Sequence, residues 1–163
     1  MSQDAWSTQP VPPVQQQAEP PREILASFGQ RVGAFVIDTL VLLPGYIASF
    51  IGGAMLESSD SVLGYVLLYG GFLGHLALFI WNSIIRQGRT GWSLGKQALG
   101  IRLVSIKDGR PIGAGASFLR QIVHILDALP CYLGYLWPIG DRKRQTFADK
   151  IMSTVVARQK KDA

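Results

Sequence analysis

Ala34 to Gly53 reads AFVIDTLVLLPGYIASFIGG, twenty residues with a single charge at Asp38. At about 1.5 Å per residue, such a run crosses the roughly 30 Å hydrocarbon core of a bilayer. Asp38 is the objection, because a mid-membrane aspartate costs about 2.5–3.5 kcal/mol on insertion scales. Ten Leu, Ile, Val and Phe residues in the run offset that cost at about 0.3–0.6 kcal/mol each, so it inserts by a narrow margin. Pro44 predicts a kink, since lipid penalises unwound backbone more than a bend.

Working outward, Val62 to Ile85 (VLGYVLLYGGFLGHLALFIWNSII) is uncharged apart from His75 and is the stronger span. The connecting AMLESSDS holds two acids and no Lys or Arg. The sixteen Lys and Arg residues fall two before the hairpin, seven from Arg86 to Arg120 and seven from Arg142 to Lys161. By the positive-inside rule the hairpin loop faces out and both its ends face the cytoplasm. A net charge of +5 and a pI near 9.6 are then a topology signal, and nucleic acid is not needed to explain them.

A third apolar stretch, Phe118 to Ile139 (FLRQIVHILDALPCYLGYLWPI), is interrupted by Arg120, His124 and Asp127 and broken by Pro130 and Pro138. A single crossing would place the basic C-terminal tail outside, against the charge rule. Seven basic residues on each side favour a segment that enters and returns, hinged near Pro130 and covered by the first two helices. A plain third span is the alternative. Ala98 to Ile106 alternates and is followed by Asp108-Gly109, which predicts a cytoplasmic β-ribbon returning through Arg110 and Ile112, with Thr154 to Arg158 as a candidate third strand.

The expected fold is therefore an α-helical membrane protein: two transmembrane helices plus a third re-entrant or spanning segment, with a small cytoplasmic β-ribbon. Residues 1–21 carry five Pro, five Gln and no apolar periodicity, and read as a disordered arm rather than a secretory signal. Residues 22–158 form the membrane domain, with spans at about 34–53, 62–85 and 118–139, and 159–163 a basic tail. The expected location is the cell membrane, with a multi-pass chain and both termini cytoplasmic. A single cysteine, Cys131, excludes an internal disulfide framework and a cysteine-based zinc cluster.

Three stretches in this order resemble the RDD family of small prokaryotic membrane proteins, named for one arginine and two aspartates. They are RVGAFVID from Arg31 to Asp38, GWSLGKQALGIRLVSIKDGRPI from Gly91 to Ile112, and RQTFADKIMSTVVAR from Arg144 to Arg158. Arg31 and Asp38 match the first two letters and Asp149 the third, although Phe147 and Ala148 stand where the family usually has Leu and His. Ser153 stands where a glycine is common. The resemblance covers about Ile24 to Arg158. It implies no settled activity: transport of an unidentified ligand has been proposed, and some members are associated with cation and proton exchange.

Asp38 lies seven positions after Arg31, on nearly the same helical face but about 10 Å along the axis, too far for an ideal ion pair. Arg31 then anchors the helix at the interface, and Asp38 needs a partner elsewhere. It reads either as an ion- or proton-binding carboxylate or as a structural one satisfied by Arg31, Arg120 or a serine and threonine network. His75 has no second ligand at i+3 or i+4, which disfavours a metal and favours a neutral, hydrogen-bonded ring. Arg120, His124 and Asp127 share one helical face, lining either a polar cavity opposite Asp38 or the water-facing side of an interfacial helix.

By itself Asp149, flanked by Arg144 and Lys150, reads as a solvated salt-bridge partner; the resemblance adds a network with Arg31. Gly29–Gly33 and Gly70–Gly74 have small-xxx-small spacing for close helix approach, and Gly91 to Gly100 reads as a turn and an interfacial helix with Trp92 at headgroup level. No nucleophile elbow, paired cysteine, zinc-binding helix or dinucleotide fingerprint appears, so an enzyme is the least expected class and no cofactor or metal is called for. Two functions remain. One is binding or movement of a small cation or proton-linked solute by Asp38 and its neighbours. The other is a non-transporting scaffold or assembly partner, with the bilayer, a second copy or another membrane protein as company.

Overall fold

Ser27 begins the first long helix through a capping box: its Oγ accepts from the Gln30 amide at 3.2 Å while Gln30 Oε1 accepts from the Ser27 amide at 3.0 Å. The computed structural model describes residues 21–131 and 133–159, so the expected disordered arm, save Pro21, and residues 160–163 of the tail lie outside the described residues. Helix α1, Phe28–Ser58, runs unbroken through Pro44 and extends the predicted span at both ends. After a short turn, Ser61 caps α2, Val62–Phe79, which continues as a π-helical stretch, Ile80–Arg86, and a last α-helical turn, α3, Gln87–Thr90. Together these make one apolar helix from Val62 to Thr90.

The two long helices form an antiparallel hairpin whose contact is backbone on backbone. A Cβ on Gly52 would lie 2.3 Å from the Leu68 amide nitrogen and 2.6 Å from the Gly64 carbonyl oxygen, so only glycine permits that approach. Gly45 and Gly71 meet higher along the same seam. Gly70 and Gly74, whose spacing suits close approach either within the bundle or between protomers, have nothing within 4 Å and lie off the α1-facing row that Gly64 and Gly71 occupy, so they do not serve the seam within the hairpin. The outward surface is apolar: Phe35 and Phe50 are each 70% exposed. Two helices are thus long and apolar enough to cross a membrane, or three if the bent third segment counts as one.

At Gly91, with φ of +78°, the chain reverses. Trp92, expected at headgroup level, is folded back by that reversal to 9% exposure, with the Arg102 guanidinium 5.9 Å from its ring centroid. Ser93 then caps the short helix α4, Leu94–Ala98, which packs on α1 and leads into β1, Ile101–Ser105. The predicted β-hairpin is not the pairing found. Asp108-Gly109 does turn, with the Ser105 amide donating to the Arg110 carbonyl at 2.9 Å, but the return stops there, because the Leu103 amide that the next rung needs donates to the Gly91 carbonyl at 2.9 Å. The candidate strand at Thr154–Arg158 does form: as β2 it pairs antiparallel with the other edge of β1, Leu103 opposite Val156. A bridge from Leu25 to Ala157 covers the other edge of β2. Side-chain alternation puts Ile101, Leu103 and Val156 against Ala26 and Ala34, and Val104 and Val155 against Leu25. This small core ties both ends of the described chain to the start of α1.

The third segment starts as α5, Ala114–Val123, beside the end of α3, where the Gly113 amide donates to the Gly88 carbonyl at 2.8 Å. It continues as α6, Ile125–Ala128, and after a break as α7, Leu133–Leu136, and a 3-10 turn, Trp137–Ile139. The two halves meet at 104°. The chain then forms α8, Phe147–Ile151, beside α5 and α6, so the segment ends where it began, at the Arg31 end of the hairpin.

A Gly52→Val substitution drives a side chain into backbone and is expected to destabilise the chain by about 1–3 kcal/mol or more, whereas Gly70→Ala leaves stability unchanged. Thermal midpoints in neutral detergent check this; equal effects at the two glycines would refute the hairpin seam.

Candidate functional site

Three aspartates gather at the Arg31 end of the hairpin, Asp127 and Asp149 fully buried and Asp38 partly exposed, each on a different element and each bound by different donors. Asp38 reaches sideways from α1 to the start of α4. Its Oδ1 accepts from Asn82 Nδ2 and from the Gly95 amide, both at 2.8 Å, and its Oδ2 accepts from Ser93 Oγ at 2.6 Å. Asn82 Oδ1 in turn accepts from the Leu94 amide at 2.8 Å, so the carboxylate and the carboxamide together occupy the open first turn of α4. Gly95 is required for this fit: a Cβ there would lie 2.0 Å from the Ala34 carbonyl oxygen and 3.0 Å from Asp38 Cγ. Asn82 belongs to the π-helical stretch, and the adjacent Ser83 carbonyl accepts from Ser117 Oγ of α5 at 2.9 Å.

Asp149 is fully buried between two arginines. Arg31 Nη1 donates to Oδ2 at 2.7 Å, and Arg120 donates to Oδ1 through Nη2 at 2.7 Å and Nε at 3.0 Å. The Thr146 amide and Thr154 Oγ1 complete the set, at 3.3 and 3.1 Å. Asp149 is also the N3 residue of the capping box that starts α8, which fixes its direction. Burial alone would raise its proton affinity, yet the Arg120 and Arg31 charges prevail and hold the carboxyl well below the usual carboxylate range.

Asp127 joins α6 to the other side of α8. Its Oδ1 accepts from the Phe147 amide at 2.8 Å, and its Oδ2 lies 2.6 Å from His124 Nδ1, whose ring stacks on Tyr135 at 5.5 Å. Lys96 of α4 bridges toward α3, donating to Gln87 Oε1 at 2.6 Å. Arg86 ties the same corner, donating to the Trp92 carbonyl at 3.0 Å and to Gln97 Oε1.

The residues singled out in the sequence therefore do not line one cavity. Arg31 does not bind Asp38; it joins Arg120 on Asp149. Arg120, His124 and Asp127 do share a face, but that face points neither to an open cavity nor to water, because α8 covers it. His75 stands apart, its Nδ1 3.2 Å from the Leu42 carbonyl, a contact between α2 and α1 in which Nδ1 is the donor. Among the described residues no three His, Cys, Asp or Glu side chains converge as metal ligands. Sequence reasoning missed Asn82, Ser93, Gly95 and Lys96. Asn82 was the visible signal, a lone carboxamide near the end of an apolar helix.

Residues 25–153 match the RDD family. The chain belongs to the RDD family. Curated relatives include a proline-rich antigen homolog of Mycobacterium tuberculosis, 43% identical over 109 residues, covering 67% of this chain and 45% of that protein. A proline-rich antigen of Mycobacterium leprae is 44% identical over 93 residues, covering 57% of this chain and 37% of that protein. The chain thus spans less than half the length of these relatives. No solved structure matches it. In this RDD chain the arginine and the two aspartates fall into two separate nodes, one at Asp38 and one joining Arg31 to Asp149.

Lys96 lies between those nodes. Burial, and then the Arg120 charge, push it down to about 8 from the ordinary lysine value of 10.5, against the pull of Asp38 and Asp149. The folded chain binds fewer protons than the unfolded one between these two values, so Lys96 makes stability rise with pH from about 8 to 10.5. Thermal midpoints of the native chain and Lys96→Met should therefore converge as pH rises through that window if the variant is the more stable at pH 7; parallel pH profiles would contradict the burial of the charged amine.

Proposed function

We propose that this RDD chain is a multi-pass protein of the cell membrane that serves as a non-enzymatic scaffold or assembly partner, presenting a folded cytoplasmic face on a helix hairpin. The observation that carries the reading is the state of three aspartates: Asp38, Asp127 and Asp149 are each bound by donors from at least one other element of the chain. A carboxylate already saturated by internal donors is poorly placed to exchange a solute and well placed to lock helices in register.

Topology follows from charge. The loop between α1 and α2 carries Glu57 and Asp60 and no basic residue, so it faces out, and the Arg31 end with its basic connectors faces the cytoplasm. The 104° bend and the return of α8 to Arg31 support a third segment that re-enters or lies at the interface, with a cytoplasmic C-terminus. The partners that this reading expects are the bilayer and a second copy or another membrane protein. The five prolines of residues 1–21 suit a segment offered to a protein partner, in keeping with relatives named for proline-rich sequence.

A second reading, movement of a proton or small cation, draws support from Lys96, which titrates nearer neutrality than an ordinary lysine and lies between the two signature nodes. Reconstitution separates the two readings. The scaffold reading predicts that Asp38→Asn lowers abundance and thermal midpoint, and that proteoliposomes of the native chain show no cation-driven proton flux above empty vesicles. A flux that Asp38→Asn abolishes at unchanged stability would overturn it.

A further inference from the structure

A groove of about 830 Å³ opens between the end of the third segment and α8, and it has two chemically distinct sides. Leu133, Leu136 and Trp137 form an apolar wall, and each is about half exposed. Arg142, Lys143 and Lys150 form the opposite, basic side, with Asp141 as the single acid. That acid is already engaged. Its Oδ1 takes Lys150 Nζ at 2.7 Å, and its Oδ2 accepts the Lys143 and Gln145 amides at 3.1 and 3.0 Å. Lys150 also lies 5.3 Å from the Trp137 ring centroid, so cation and indole stand side by side at the seam between the two sides. The groove's lining thus sets three basic side chains and one acid beside an exposed apolar wall.

We propose that this groove binds the headgroup of an anionic phospholipid of the cytoplasmic leaflet, its phosphate against Arg142 and Lys143 and the start of its acyl chains along Leu133, Leu136 and Trp137. The inference rests on the membrane reading above. Two observations select a lipid over a free anion or an acidic peptide. The apolar wall is continuous with the exposed apolar side of the bent segment, through Leu129 and Ile139, which a bilayer would cover. The basic side is also adjacent to α8, whose Asp149 holds Arg31 at the end of the hairpin assigned to the cytoplasm, where anionic lipid is found. An indole at the boundary between an apolar and a charged surface is the usual position of an interfacial anchor.

The test uses the full chain purified in neutral detergent and titrated with dioleoylphosphatidylglycerol, dioleoylphosphatidylcholine or inorganic phosphate, with bound lipid read by native mass spectrometry. Phosphatidylglycerol is expected to bind in preference to phosphatidylcholine, and Arg142→Gln with Lys143→Gln to weaken it about thirtyfold, the loss of two charges at a membrane surface. Arg89→Gln with Lys107→Gln removes the same charge from exposed positions outside the groove and should change affinity less than twofold. Equal binding of the two lipids, equal loss in both double variants, or displacement of phosphatidylglycerol by equimolar phosphate would each overturn the proposal. Carbonate extraction of cell membranes is run alongside. A chain released by carbonate refutes the membrane reading itself, whereas a retained chain with an indifferent groove refutes only the lipid site.

Discussion

Taking the Asp149 carboxylate out of water costs several kcal/mol, and two guanidiniums, Arg31 of α1 and Arg120 of α5, offset it. The pairing draws α1, α5 and α8 to one point. Because Asp149 also caps α8 and accepts from Thr154, the same carboxylate sets where β2 begins, and β2 in turn positions β1 and the bridge at Leu25. Removing the carboxylate would strand the Arg31 and Arg120 guanidiniums, and Arg31 Nε and Nη2 are already buried with no hydrogen-bond partner among the described residues. A fold with so little apolar core at this end depends on the ion cluster being complete.

The Asp38 node works by different physics. Among the described residues it has no cation in hydrogen-bond contact; a carboxamide, a hydroxyl and a backbone amide hold it, and the amide belongs to the open first turn of α4. Hydrogen bonds to a charged acceptor gain strength where water is scarce. The cost that Asp38 imposes on a span is thereby turned into a directional contact, which docks α4 on α1 and leads the chain into β1. The two nodes divide the work: one closes the sequence ends together, the other fixes the connector after the second helix.

The two long apolar helices were legible because apolar length is a local property, and α1 and the continuous helix from Val62 to Thr90 extend the runs quoted from the sequence. The bend near Pro130 was legible for the same reason, proline chemistry being local. Partners were not. The periodicity of Arg120, His124 and Asp127 identified a shared face, but only the return of α8 decides what that face meets. Arg31 and Asp149 are 118 positions apart, and nothing but the family resemblance linked them. The strands of the β-ribbon were legible, Ile101–Ser105 and Thr154–Arg158 both forming. The expected return through Arg110 and Ile112 was not found, because the Leu103 amide beyond the Asp108-Gly109 turn is taken by the Gly91 carbonyl, a contact no local signal announces. Asn82 and Gly95 escaped notice because their importance lies in one crossing, where α4 passes within backbone distance of α1.

The central claim is that Arg31 acts with Asp149 and not with Asp38, and a pair of double-mutant cycles measures it directly. Stability in neutral detergent is compared for Arg31→Met and Asp149→Leu, singly and together, and for Arg31→Met with Asp38→Leu in the same way. The account predicts a coupling of about 2 kcal/mol or more in the first cycle and within about 0.5 kcal/mol of zero in the second. Additive effects of Arg31 and Asp149, or a larger coupling of Arg31 to Asp38, would contradict it.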